Sequence, residues 1–198
     1  MLLRARFLHT ALLLLLAALL GGCASSRQIG TDVQSFQVGP APAAQAVYRF
    51  ERLPSQAQLP TQTQWEAVVE RILAAHGLQH DEAAAQYAVE VSVSVLQFVD
   101  PADAVWYGGW MHHHGPYFGG FPGPVRFWYR HSARVLLREL HSNNVVYETV
   151  GTFDGPWSDS ANLVPVILEA ALRDYPRASI GVQRITEQLD PPTEVPAE

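Results

Sequence analysis

Tyr87, Val89, Val91, Val93 and Val95 recur at every second position and oppose the polar residues Glu90, Ser92 and Ser94. A period of two with β-branched residues on one side describes a strand with one face covered and the other wet. A chain that contains it must build a sheet and then lay something apolar on it. Other stretches supply the partners. Residues 46–52 alternate, with Val47, Arg49 and Glu51 opposing Tyr48, Phe50 and Arg52, and residues 32–38 alternate more weakly. Long strands are predicted from about Phe127 to Leu140 and from Val145 to Phe153, joined by His141-Ser142-Asn143-Asn144, which is hairpin chemistry.

The covering layer comes from two segments with helical spacing. Trp65, Val68, Val69, Ile72 and Leu73 share one face, with Thr61 or Thr63 as N-cap and Gly77 just past the last turn. Leu163, Val166, Ile167, Ala170 and Ala171 mark a second helix, capped by Ser160 or Asn162, with Pro165 expected in its first turn and Pro176 after its end. Residues 180–185 are expected as an edge strand. The order strand, strand, helix, three strands, helix, strand predicts a single α+β domain: an antiparallel or mixed sheet with two amphipathic helices packed on one face.

The first hydrophobic stretch ends in Leu20-Gly21-Gly22-Cys23, and Cys23 is the only cysteine. Arg4 and Arg6 precede a ten-residue apolar run from Ala11 to Leu20, about half of the ~20 that a spanning helix needs. The pattern is that of a cleaved signal segment over residues 1–22. It resembles bacterial lipoproteins, and the resemblance implies that Cys23 carries acyl chains and becomes the first mature residue. It also implies lipid anchoring at the outer membrane facing the periplasm, because Ala24-Ser25-Ser26 follows the cysteine where inner-membrane retention would favour Asp. Residues 23–30 then read as a tether, 31–188 as the domain and 189–198 as a disordered acidic tail rich in proline.

Composition closes several functional classes. The formal charge is -6, and removing Arg4 and Arg6 from 13 Arg leaves 11 against 19 acids, or -8. A chain so acidic is not expected to partner nucleic acid. It has no lysine, which removes a Walker A lysine, a Schiff base and a Ser-Lys dyad. With its one thiol acylated it has no disulfide, so packing must hold it. No G-x-S-x-G, H-E-x-x-H, C-x-x-C or G-x-G-x-x-G occurs, and no enzyme activity is expected. Ser158, Asp159 and Ser160 read as a helix cap, and Asp100 and Asp103 as a turn.

Two features could bind something. Residues 99–126 form an insert broken by Gly and Pro, in which Trp106, Tyr107, Trp110, Tyr117, Phe118 and Phe121 offer aromatic surface. Its histidines include His112 and His114, which would share one side of an extended backbone. They name no further metal ligand, so no cofactor is expected. The plain reading is a loop that is mobile or packed on the fold. Arg126, Arg130, Arg134 and Arg138 then recur every fourth residue and emerge on one strand face. They could meet phosphate or carboxylate groups of a glycan, or simply pair across strands with Glu90 and Glu148.

The Tyr48-Arg49-Phe50 strand, the helix ending in His76-Gly77-Leu78, the strand of Tyr87-Ala88-Val89-Glu90-Val91, the aromatic insert and the helix before Asp174-Tyr175-Pro176 together resemble the lipoproteins of domain of unknown function 4136. That resemblance implies a fold and an envelope location, and it transfers no catalytic residue. The expected function is a noncatalytic lipid-anchored protein that binds or scaffolds an envelope protein or glycan. The alternatives are an accessory subunit of a lipid or solute transport assembly and, third, an envelope hydrolase.

Overall fold

The computed structural model describes residues 27–100 and 125–189. Its contacts divide the chain into two units. Ile29–Glu187 forms one. Of the other, only Arg27, Gln28, Gln188 and Leu189 are described, at the outer ends of two strands. In chain order the elements are β1 (Arg27–Gln37), β2 (Val47–Phe50), a 3-10 turn (Gln56–Gln58), α1 (Gln62–Ala75), β3 (Gln79–His80), β4 (Tyr87–Val99), β5 (Phe127–Glu139), β6 (Val145–Gly155), α2 (Ser160–Leu172) and β7 (Gln183–Leu189).

The strands make one mixed sheet in the order β3-β2-β4-β5-β6-β1-β7, which is the α+β architecture expected. β2 runs parallel to both β3 and β4 because α1 carries the chain back between them. From β4 through β5 and β6 to β1 every pairing is antiparallel. Inward positions alternate as the sequence demands: Val89 and Val91, Ala133, Val135 and Leu137, and Tyr147 and Phe153 are buried. α2 lies over β5 and β6 and packs on α1. Its Leu163, Ile167, Leu168 and Leu172 are fully covered, each contributing roughly 2 kcal/mol of burial. Arg71 of α1 donates to Glu169 of α2 at 2.6 Å across the helix pair. No helix among the described residues is long and apolar enough to cross a membrane.

Gly77 ends α1 as expected. Its φ of 89° is left-handed, and the Gly77 N–H to Ala74 O and Leu78 N–H to Leu73 O bonds close the turn. Other expectations shift. β1 starts at Arg27, so residues 27–30 of the expected tether are strand. Its inward Thr31 and Ser35 are buried polar residues, which blunts the alternation. β3 has only two residues and no period to read. The last strand begins at Gln183 rather than 180. Pro165 lies beyond the first turn of a helix that begins at Ser160; the carbonyl it leaves without a partner is that of exposed Ala161, where water can reach it. The cap positions fall to Thr61 and Asp159, neither of which makes a side-chain capping bond.

Candidate functional site

β5 places Arg130, Arg134 and Arg138 on the sheet face opposite the helices, because four is an even step along a strand. Each meets a carboxylate. Arg130 sits directly across from Asp154 and grips it with two bonds of 2.7 and 2.6 Å. Arg134 reaches Glu148 at 2.7 Å. Arg138 bonds Glu51, which Arg49 also holds at 2.9 Å. Arg126, just before the strand, lies 3.5 Å from Asp100. The hydrogen bonds from Arg130 hold the Asp154 carboxyl below its ordinary pKa, and Arg49, with Arg138 behind it, does the same for Glu51. The pairing with Glu148 is the one the sequence suggests. Glu90 is instead 3.2 Å from the Gln56 amide. The open face is thus a ladder of neutralised pairs, and an anionic ligand would have to displace a carboxylate already in place.

Under the helices lie polar groups that belong to no sequence motif. Glu66 is buried on α1, and Arg52 donates to it through Nε at 2.7 Å and through Nη2. Gln62, also buried, donates to Glu66 at 3.0 Å and to the Val91 carbonyl at 2.9 Å. Outside this pair a cleft of about 460 Å³ is lined by Phe50, Arg52, Glu66, Glu70, His80 and Glu82 among others. The sequence signal was the i, i+4 step from Gln62 to Glu66, one helical turn before Val69 and Leu73, which apolar periodicity ignores.

His131 is wholly buried on the inward side of β5, its Nε2 3.1 Å from the Ser160 hydroxyl at the start of α2. Burial pushes its pKa down. The pair has the spacing of a nucleophile and its base, but no side chain orients the ring: Nδ1 is buried without a partner, and the neighbouring Asp159 accepts from Asn162 at 2.7 Å. Among the described residues no three His, Cys, Asp or Glu side chains converge to hold a metal. Cys23, Trp106, Tyr107, Trp110, His112, His114, Tyr117, Phe118 and Phe121 lie outside the described residues.

The profile of a domain of unknown function, DUF4136, matches residues 32–177. The chain belongs to the DUF4136 family. That span takes in both helices and the ion-paired face, so Arg130, Arg134 and Arg138 all stand within the DUF4136 domain. No curated protein matches the chain. Among solved structures, a PelC dodecamer from Paraburkholderia phytofirmans is similar at 15% identity, with a TM-score of 0.42 over 72% of this chain and 95% of that one. A PDZ domain protein from Parabacteroides distasonis is similar at 12% identity, with a TM-score of 0.49 over 81% of this chain and 38% of that one.

Proposed function

We propose that this DUF4136 protein is a noncatalytic, lipid-anchored envelope protein, held through Cys23 at the periplasmic face of the outer membrane, where it binds or scaffolds another envelope component. The observation that carries the reading is Leu20-Gly21-Gly22-Cys23 closing an apolar run in a chain with no other thiol. Only three residues separate Cys23 from Arg27, where β1 begins. Acyl chains contribute about 0.8 kcal/mol per buried methylene, and two or more anchor stably. The ladder of paired charges on the open face fits a scaffold better than a trap for free anions.

Replacing the thiol tests this. Cys23→Ser is expected to give a folded protein that takes up no fatty-acid probe and no longer sediments with outer membranes. Retention of label and of membrane association by the Ser variant would sink the proposal.

A further inference from the structure

The sheet register fixes the end at which the chain enters the sheet. Gln97 pairs with Tyr129, and Tyr129 with Gly155. β1 is antiparallel to β6, with Asp32 opposite Thr152, so stepping back from Asp32 to Ile29 moves toward Gly155. The chain therefore enters the folded body at the same end of the sheet at which β4 stops and β5 starts. From Ile29 the six residues to Cys23 reach at most ~21 Å when fully extended. The far end, at the turn between β5 and β6, lies ten residue steps along β6, or ~33 Å away.

At that end apolar side chains are left uncovered. Along β4 the inward stripe passes from buried Val89 and Val91 through half-buried Val93 to exposed Val95 and Val99. The core pattern thus outruns its helical cover. Val99 pairs with Phe127, which is 46% exposed, and Val125 is exposed beside it. Leu96, on the other face, is 60% exposed. Phe98, Trp128, Tyr129 and Trp157 sit half-buried at the same level. Of the eleven exposed large apolar residues among those described, five gather here; Phe36, Val38, Ile180 and Val182 lie toward the opposite end, where Ser179 bonds Ser35, and Leu53 and Leu59 lie on the loop after β2. The turn at the opposite end presents His141, Ser142, Asn143 and Asn144, all exposed, with Phe36 and Val38 of the neighbouring segment beside its strand. Aliphatic side chains backed by Trp128, Tyr129 and Trp157 at the end where the chain enters match the aromatic belt of a membrane interface.

We propose that this end of the sheet, centred on Leu96, Val99, Val125 and Phe127, rests on the lipid bilayer that holds the acylated N-terminus. The opposite turn then points into the periplasm. The proposal rests on the lipid-anchored reading and adds the orientation and the contact surface.

The test uses the acylated full chain, reconstituted in vesicles of phosphatidylethanolamine and phosphatidylglycerol. Because acylation consumes the only native thiol, Phe127→Cys and Asn143→Cys each offer one site for an environment-sensitive fluorophore. Both positions are exposed, so neither substitution opens the core. The expected result is a blue-shifted emission at position 127, quenched several-fold more by spin-labelled lipids than the emission at position 143. Equal quenching at both positions, or none at either, on protein that carries the fatty-acid probe and floats with the vesicles overturns the orientation and leaves the anchor intact. Blue-shifted but unquenched emission at position 127 also overturns it, assigning the surface to a second copy or another protein. Absence of the probe and of flotation defeats the anchored reading itself, and the orientation with it.

Discussion

His131 is held where an imidazolium would have neither water nor a carboxylate on Nδ1. Its folded pKa is lowered by burial, from an unfolded value of about 6.5. The folded chain therefore binds fewer protons than the unfolded one just below that pH, and stability falls as pH drops from about 6.5 toward the lowered folded value. Thermal melts at stepped pH are expected to show this loss, and His131→Leu is expected to flatten it; an unchanged slope in the variant assigns the loss elsewhere. Gly151 makes a separate point about close approach. A Cβ there would meet Ile167 Cγ2 at 2.9 Å and the Ile167 carbonyl at 3.0 Å, because α2 presses directly on β6. Gly151→Ala should cost about 1 to 3 kcal/mol in urea unfolding. Neither role was legible beforehand. His131 lies unmarked inside the strand expected from Phe127 to Leu140, and a glycine in a strand says nothing of what crosses above it.

Among elements, two ion pairs with the same chemistry should behave differently. Glu66 is buried, and its carboxylate depends on Arg52. Arg134 and Glu148 are both partly exposed on the open face. Arg52→Met should therefore destabilise by on the order of 2 kcal/mol, since it strands a buried charge. Arg134→Met should cost less than about 1 kcal/mol. Denaturant midpoints of the two variants measured side by side check the ranking, and equal losses would refute it. The strands and helices with clean periods, β4, β5, β6 and α1, could be read from the residues alone. What escaped was polar material on buried faces: Thr31 and Ser35 in β1, and Gln62 and Glu66 in α1. These are satisfied by partners distant in sequence, such as the 2.9 Å contact between Ser35 and Thr149. The stripe of arginines was legible as a face, but its partner Glu51 was not, because that glutamate arrives from the end of β2 only once α1 has turned the chain back.

For the whole molecule, the sheet is closed unequally. Beside β4, the short β2 pairs no further than Phe50 with Val89. The Gln56 and Gln62 amides then occupy the Val91 carbonyl. Beyond that point, no described strand pairs with the outer edge of Ser92 to Val99. This edge reads Ser-Val-Ser-Val-Leu-Gln-Phe-Val, with no charge and no proline. Such a segment carries neither of the two side-chain gatekeepers, charge and proline, that stop one sheet from templating another. The Cys23→Ser domain should self-associate with rising concentration in sedimentation velocity, and Val95→Lys should return it to a monomer. On the proposed lipid-anchored reading, attaching the lipid would then do a second service, keeping this bare edge from meeting its copies face to face.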